Sequence, residues 1–347
     1  MSSLRIFSSV KKIDKSSFIY RTAIIMVLLL LMAILFILSV LYGSAKISLG
    51  DIFNTIFTKD TESITYQIIS YVRLPRATAA LLAGMALATA GVVLQSLMDN
   101  PLAGPNIIGV NSGAGLSALI IMILFPKLYF FLPIAAFVGA FLTSLLIFFI
   151  AYKTGASRIA IVLAGVAISS FLSAGIDTLT ILFPDRVVAA TSYMIGGFSG
   201  VTFREIGYAV FYIIAALIFS IFLAPSLNIL ALGDETALSL GMNVAVYRFI
   251  FIVLAALLAG SAVSFSGLLG FVGLIVPHAS RFLVGYDNRY LIPVSALMGA
   301  CFVMVCDLLA RILFAPYEIP VGIIMSFLGG PFFVWLLISQ RRRGLSG

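Results

Sequence analysis

The six-residue stretch AALLAG occupies residues 79–84 and recurs letter for letter at residues 255–260, a shift of 176 residues. At the same shift Gly91 aligns with Gly267, and Pro101 aligns with Pro277. Both copies lie in apolar runs, which indicates an internal repeat of membrane helices. The predicted spans place the copies five crossings apart, so they run through the bilayer in opposite directions. Inverted repeats of this kind are typical of transporters, whose substrate path lies between the repeats.

The composition supports a membrane location for the whole chain. Of its 347 residues, 62% are hydrophobic and 10% are charged, whereas soluble domains have about 45–50% apolar and about 25% charged residues. At about 20 residues per span, these apolar residues fill roughly ten helices. We therefore predict an all-α polytopic membrane protein with about ten transmembrane helices. The spans are expected at residues 22–42, 74–97, 106–125, 128–151, 158–182, 206–224, 247–266, 270–284, 290–312 and 319–339.

The distribution of basic residues predicts the orientation. Thirteen of the 21 Lys and Arg residues lie on the side that holds both chain ends, and eight lie on the other side. Because cytoplasmic loops carry the excess of Lys and Arg, we expect a multi-pass protein of the cytoplasmic membrane with both termini in the cytoplasm. Residues 1–21 and the basic residues 341–347 are the predicted cytoplasmic tails, and residues 22–340 form one transmembrane domain.

The scarcity of histidine, cysteine and acidic residues excludes several functional classes. The chain has one His, two Cys and 13 acidic residues, so we expect no metal cluster and no disulfide framework. Cys301 and Cys306 are five residues apart in one apolar run and face different sides of a helix. The net charge of +8 comes from basic residues at segment ends, as membrane topology requires, and it does not indicate nucleic-acid binding.

The loop at about 228–247 contains the sequence LGDETALSLG at residues 232–241, which predicts a short capped helix. Asp234 suits the N-cap with Glu235 in the first turn, and Gly241 suits a left-handed C-terminal position. An apolar patch facing the cytoplasm is expected from Ala237, Leu238 and Leu240. Such a helix fits a groove on a partner protein; the alternative is an interfacial helix lying on lipid headgroups.

Ordered motifs along the chain resemble the FecCD-type permeases of ABC importers. The motifs are Arg73-Leu74-Pro75-Arg76, Gln95, Asn100-Pro101-Leu102-Ala103, residues 109–115, residues 270–278 with the sequence GFVGLIVPH, Arg281, residues 318–322 with the sequence EIPVG, and residues 329–333 with the sequence GGPFF. This resemblance covers about residues 45–341. It implies a type II importer permease, a second permease subunit, ATPase subunits and an external solute-binding protein. The family imports iron(III)-siderophores, haem and cobalamin.

By this resemblance, the loop at 228–247 is the segment that couples the permease to its ATPase. The residues assigned to coupling are Leu232, Gly233, Asp234, Glu235, Ala237, Leu240 and Gly241. The chain has no G-x-x-x-x-G-K-[ST] phosphate loop, so we expect it to bind no cofactor and to be no enzyme. ATP and Mg²⁺ belong to the ATPase subunit.

Three arginines on the predicted outer side run against the orientation rule. Arginines at these positions of related permeases face glutamates of the binding protein, so the resemblance implies that Arg73, Arg76 and Arg311 dock it. Guanidinium groups suit this task because they bind carboxylates with two parallel hydrogen bonds. The alternatives are snorkelling to lipid headgroups and, for Arg311, pairing with Asp307 one helical turn before it.

The cargo path is expected to carry small or polar uncharged residues. The candidates are Gln95, Asn106, Asn111, Ser112, Ser169, Ser170, Ser173 and Thr178, and the alternative is close helix packing. Structural or transmission roles are expected for Pro101, Pro277, His278 and Arg281. A bare metal ion would need oxygen or nitrogen ligands that this chain lacks, whereas a chelated metal brings its own.

The leading hypothesis is therefore import of an iron(III)-siderophore. Haem and cobalamin remain open, and an ion-driven secondary transporter is the alternative from another class. A membrane enzyme is disfavoured because we find no nucleophile–base pair or metal constellation.

Overall fold

The computed structural model describes residues 17–44, 48, 50, 62–153 and 157–344. Within these residues the chain forms helices and no strand. The α-helices are α1 (Phe18–Leu41), α2 (Ile64–Met98), α3 (Val110–Leu124), α4 (Leu132–Lys153), α5 (Arg158–Leu182), α6 (Pro184–Ile195), α7 (Phe203–Phe222), α8 (Ala224–Ala231), α9 (Asp234–Ser239), α10 (Val244–Ser266), α11 (Val272–Val284), α12 (Asn288–Ile312) and α13 (Val321–Gly344). Short 3₁₀ helices at Pro105–Ile108 and Pro126–Phe131 precede α3 and α4.

The prediction of about ten membrane helices is confirmed. Seven helices among the described residues are long and apolar enough to cross a bilayer: α1, α2, α4 with its preceding 3₁₀ turn, α5, α7, α10 and α12. Three shorter apolar helices, α3, α11 and the first half of α13, complete the set. Most of the tail at residues 1–21 and the end of the tail at residues 341–347 lie outside the described residues.

Besides the short helix α8, two helical segments were not predicted. The helix α6 begins with Pro184 and carries Asp185 in its first turn. Proline at the first helical position is a helix start signal, but the helix is too polar to be recognised from apolar span length. The helix α2 begins at Ile64, ten residues before the predicted span, and includes a π-helical stretch at Ile68–Arg73. Both segments lie next to apolar spans but are too polar to register as membrane helices.

The repeated AALLAG segments lie in the two central helices α2 and α10. In the most apolar 18-residue segment of each helix, 83% of the residues of α2 and 78% of those of α10 are buried. Counting the crossings between them, the two helices run antiparallel, as the inverted repeat predicts. Small side chains allow α2 to pack closely against α10, α11 and α12.

Glycines mark the closest backbone approaches of α2. A Cβ atom on Gly84 would lie 2.2 Å from the carbonyl oxygen of Gly299 in α12, and one on Gly91 would lie 2.1 Å from the carbonyl oxygen of Gly273 in α11. Close approach through small residues is how membrane helices gain packing energy. These contacts position the polar sites at both ends of α2.

The alignment by 176 residues breaks down beyond the two AALLAG segments. Gly91 lies within α2, but its counterpart Gly267 ends α10 with φ 69°. Pro101 follows α2 in a turn, whereas Pro277 lies inside α11. The later matches therefore do not mark equivalent backbone positions.

We expect Gly84→Ala to lower the melting temperature of the detergent-purified protein, because the new methyl group meets the Gly299 carbonyl. Overpacking of this kind costs about 1–3 kcal/mol. The matched control is Gly207→Ala in α7, where a Cβ atom meets nothing within 4 Å. Equal melting temperatures for the two variants would contradict the role of this contact.

Candidate functional site

The helix α9 is a short helix in the connection between α7 and α10, held at its start by an ion pair and at its end by a C-terminal capping pattern. Its N-cap is Gly233, with φ 104°, and Asp234 is the first helical residue. The predicted N-cap role of Asp234 is therefore wrong. Its carboxylate instead accepts two hydrogen bonds from Nη2 of Arg248 in α10, at 2.7 and 2.9 Å. This ion pair fastens the start of α9 to a central helix.

The end of α9 follows the Schellman pattern. The N–H of Gly241 donates to the carbonyl of Leu238 at 2.9 Å, and the N–H of Met242 donates to Ala237 at 3.0 Å. Gly241 has φ 79°, as the prediction of a left-handed residue required. The pattern satisfies carbonyls that the helix end would otherwise leave unpaired.

The helix α9 lies amid exposed leucines. Leu232, Leu238 and Leu240 are 65%, 60% and 63% exposed. Ala237 was expected on this apolar patch but is fully buried, because it faces the body of the protein. Glu235 is exposed beside the leucines. A rigid helix with apolar and acidic side chains at the surface suits insertion into a groove on a partner.

A buried ion cluster lies at the opposite end of the molecule. Nε of Arg76 donates to Oδ1 of Asp307 at 2.9 Å, and Nη1 of Arg76 donates to Oε2 of Glu318 at 2.5 Å. Nη2 of Arg311 lies 2.9 Å from Oδ2 of Asp307. Asp307 is fully buried between the two guanidinium groups. The predicted pairing of Arg311 with Asp307 is confirmed.

Two of the three arginines also hold the C-terminal end of α1. Nη1 of Arg311 donates to the carbonyls of Ser39 and Tyr42, at 3.0 and 2.9 Å. Nη1 of Arg73 donates to the carbonyls of Val40, at 3.1 Å, and Leu41. The last carbonyls of a helix lack intrahelical partners, and arginine side chains can satisfy them. The cluster thus joins α1, α2 and α12.

This placement differs from a surface that awaits a docking partner. Arg73, Arg76 and Arg311 are 3%, 5% and 2% exposed, and their guanidinium groups already bind groups of this chain. Snorkelling to headgroups does not describe them either, since their partners are carboxylates and carbonyls. Docking of a binding protein through these residues stays a prediction.

Glu318 is the most accessible acidic member of the ion cluster. Burial raises its pKa, but hydrogen bonds from Arg76 and Ser44 and the charges of Arg76 and Arg311 outweigh this and lower the pKa below its usual value. The Ser44 hydroxyl donates to Oε1 at 2.7 Å. A cavity of about 370 Å³ opens beside Arg76 and Glu318, with Glu205 and Tyr193 among its other lining residues.

Some predicted path residues line grooves or exposed surfaces. Asn111 lines an open groove of about 650 Å³ between α3 and α13, and the exposed Asn106 lines a smaller one of about 70 Å³. The exposed face of α5 carries Ser170, Ser173 and Thr178. Ser112 and Ser169 are half-buried in α3 and α5.

Gln95 lies elsewhere than the path prediction requires. It is 2% exposed, and its Nε2 donates to the carbonyl of Gly273 at 3.0 Å. Its Oε1 accepts from Nη1 of Arg281. Gln95 therefore bridges α2 and α11 instead of facing open space, and Arg281 takes part in the same bridge.

The remaining predicted residues lie in or next to helices on the α11 side. Pro277 is buried in α11, and the ring of His278 contacts Phe282 and, in α13, Phe332, at centroid distances of 5.0 and 5.9 Å. Pro101 is half-buried in the turn after α2. The ring contacts place His278 at the packing of α11 against α13.

Sequence reasoning missed several polar residues that the fold brings together. Arg248 was counted only for topology, and Glu318 was noted only as part of a motif. Asn228 and Asn288 were given no role, yet their side chains meet across 60 residues of chain. No local pattern reports such a distant pairing, but a polar side chain within an apolar helix is itself a signal.

We expect Asp307→Ala to destabilise the protein strongly, because it leaves the buried Arg76 and Arg311 without their shared carboxylate. Breaking a buried ion pair by removing one partner costs about 3–5 kcal/mol. Melting temperature and folded yield in detergent measure this effect. The control is Asp185→Ala, an exposed acid near the same side, and equal stability of both variants would contradict the assignment.

Comparisons with known proteins agree with this architecture. A sequence model of the FecCD transport family matches residues 30–339. The chain is 36% identical to the Fe(3+)-citrate import system permease protein YfmE of Bacillus subtilis, over 92% of this chain and 96% of that protein. It is also 36% identical to the hemin transport system permease protein HmuU of Yersinia pestis, over 91% and 95% of the two chains.

A solved structure has the same fold along nearly its whole length. It is a metal-chelate type ABC transporter in an inward-facing conformation, with a TM-score of 0.82 and 30% sequence identity. The alignment covers 92% of this chain and 99% of that one. On the family match, the sequence identity and the shared fold, the chain belongs to the FecCD transport family.

Proposed function

We propose that this chain is the membrane permease subunit of an ABC importer, and that it carries an iron(III)-siderophore complex into the cytoplasm by ATP-driven alternating access. Membership of the FecCD transport family supports the permease role. Relatives named for iron-citrate and hemin import support an iron-containing chelate as cargo. Haem and cobalamin are the alternative cargoes.

The observation that carries this proposal is the exposed helix α9. It ends in a Schellman pattern, is tied to α10 through Asp234 and Arg248, and is surrounded by three exposed leucines. A transporter without its own ATP site needs a contact that converts ATP binding elsewhere into helix movement. We assign this contact to α9, with ATP and Mg²⁺ bound by the partner ATPase and with both chain termini on the same, cytoplasmic side.

The exposed face of α5 supports a second permease subunit. Ser170, Ser173 and Asp177 are exposed and spaced three and four residues apart, so they share one face of the helix. A carboxylate facing lipid is costly, and this face therefore suits a neighbouring subunit or a water-filled path. The neutral hydroxyl groups of Ser170 and Ser173 do not displace the chelator from the metal. The solute-binding protein would dock on the side that carries α6.

The cargo is tested by uptake of radioactive iron into cells with and without this chain. The iron is supplied as defined siderophores, as haem or as ferric citrate. We expect uptake of one siderophore class to depend on the chain, because the chelator supplies the metal ligands that the path lacks. Dependence of haem uptake alone would contradict the siderophore assignment. Uptake that persists without ATP but collapses with the membrane potential would contradict the ABC mechanism.

The coupling role is tested by Leu238→Asp and by Gly241→Val. The first places a charge on the exposed apolar patch, and the second puts a β-branched residue at φ 79°, where only glycine is unstrained. We expect both variants to insert into the membrane but to lose uptake and co-purification with the ATPase. Leu238→Met keeps the apolar surface and should behave as wild type. Retained uptake and ATPase association in Leu238→Asp would overturn the assignment.

A further inference from the structure

The helix α8 connects the coupling helix α9 to the rest of the protein. It ends at Ala231, and only Leu232 and Gly233 separate it from α9. The carbonyl of Leu230 near its end accepts the N–H of Gly233 at 3.2 Å. Because the link is short and hydrogen-bonded, we expect α8 to move with α9.

Asn228 joins α8 to the start of α12. Its Oδ1 accepts from Nδ2 and from the backbone N–H of Asn288, at 2.8 and 2.9 Å. Its Nδ2 donates to Oδ1 of Asp287 at 2.8 Å. The amide side chain of Asn228 thus uses its donor on the N-cap residue of α12 and its acceptor on the first residue of α12, which orients α8 as well as holding it.

The hydrogen bonds of Asn228 extend through α12 to α2. The Oδ1 of Asn288 accepts from the hydroxyl of Ser96 at 3.0 Å. Asn288 and Ser96 are 1% and 9% exposed. Buried hydrogen-bonded side chains of this kind form a rigid network, since breaking any member leaves a polar group unsatisfied. Asn228 therefore lies one side chain away from the helix that carries the first AALLAG segment.

Arg158 joins α8 to the start of α5. Its Nη2 donates at 3.2 Å to the carbonyl of Leu230, the same oxygen that holds Gly233. Its Nη1 lies 3.2 Å from Oδ2 of Asp99, the C-cap residue of α2. The fork of the guanidinium group binds both neighbours at once, which a lysine would do less well. Arg158 thus connects the link to α9 with the helix that bears the polar exposed face.

The two sets of contacts reach both inverted repeats. Through Arg158 and the Asn228 network, α8 is tied to α2 and α5 of the first repeat and to α12 of the second. On its other flank, α9 is tied to α10 through Asp234. These contacts connect α9 to both halves of the protein, between which alternating access takes place in transporters with inverted repeats.

We propose that Asn228 and Arg158 are positioning residues that transmit movement of α9 to the transmembrane helices, Asn228 through α12 and α2, and Arg158 through α5. The inference rests on the proposed function, because it assumes an ATPase seated on α9. It assigns to α8 a task distinct from binding the ATPase. Loss of either residue should uncouple ATP hydrolysis from transport and leave the complex assembled.

The test uses the complete transporter, with its ATPase and solute-binding protein, purified and reconstituted into liposomes. Radioactive iron is supplied in parallel as ferric citrate, a hydroxamate siderophore and haem. For Asn228→Ala and Arg158→Met we expect ATP hydrolysis to be retained and iron uptake to fall about tenfold, in the range of measured coupling energies. The ATP hydrolysed per imported iron rises by the same factor. Arg158→Lys should restore part of the uptake.

Two matched controls accompany these variants. Ser226→Ala lies on the same helix as Asn228, and Lys153→Met removes an exposed basic residue at the C-terminal end of α4, outside the Asn228 and Arg158 contacts. Both should keep the wild-type ratio of hydrolysis to uptake. A parallel fall of hydrolysis and uptake in the test variants, or an unchanged ratio, would overturn the proposal, because a purely structural role does not change the ratio.

Melting temperatures show whether each variant is folded. If Asn228→Ala melts early, Asn228→Asp is measured by the same two criteria, because it keeps the Oδ1 acceptor and loses the Nδ2 donor facing Asp287. A failure of the proposed function gives a different result: the wild-type chain itself then does not retain an ATPase. A wild-type complex that couples normally, with variants of unchanged ratio, refutes only the transmission role.

Discussion

The structure depends on close backbone contact between helices. Lipid tails are as apolar as the helix surfaces, so the hydrophobic effect does not drive one membrane helix against another. Association then relies on packing and on polar contacts. Gly84 packs against Gly299 of α12, and Gly91 packs against Gly273 of α11. The backbones are so close that a Cβ atom on Gly84 or Gly91 would lie 2.2 or 2.1 Å from the facing carbonyl oxygen. The polar groups at both ends of α2 meet their partners only because these contacts set the helix positions.

The two ends of α2 carry different sets of polar contacts. At one end the charges of Arg76 and Arg311 are balanced by those of Asp307 and Glu318, and Arg311 also binds the end of α1. At the other end two amide side chains, one arginine and the carboxylates of Asp287 and Asp99 connect α8 to its neighbours.

The arginines illustrate how far sequence reasoning reaches. Their presence on one side of the chain was evident from topology, and the partner Asp307 was evident from its spacing to Arg311. That all three are buried was not predictable, because their partners in α1 and at Glu318 are up to 272 residues away in sequence. Gln95 was misplaced for the same reason, since its bond to Arg281 spans 186 residues.

The sequence by itself determined the helical membrane class, the ten apolar helices, the antiparallel repeat and the capped helix in the loop at 228–247. These follow from composition, span length and glycine positions, which are local properties. Only the tertiary structure decided that Gly233 caps α9, that Ala237 is buried, and that Asn228 and Arg158 join α8 to both repeats. Such contacts depend on how helices distant in sequence approach each other, and local periodicity carries no record of that.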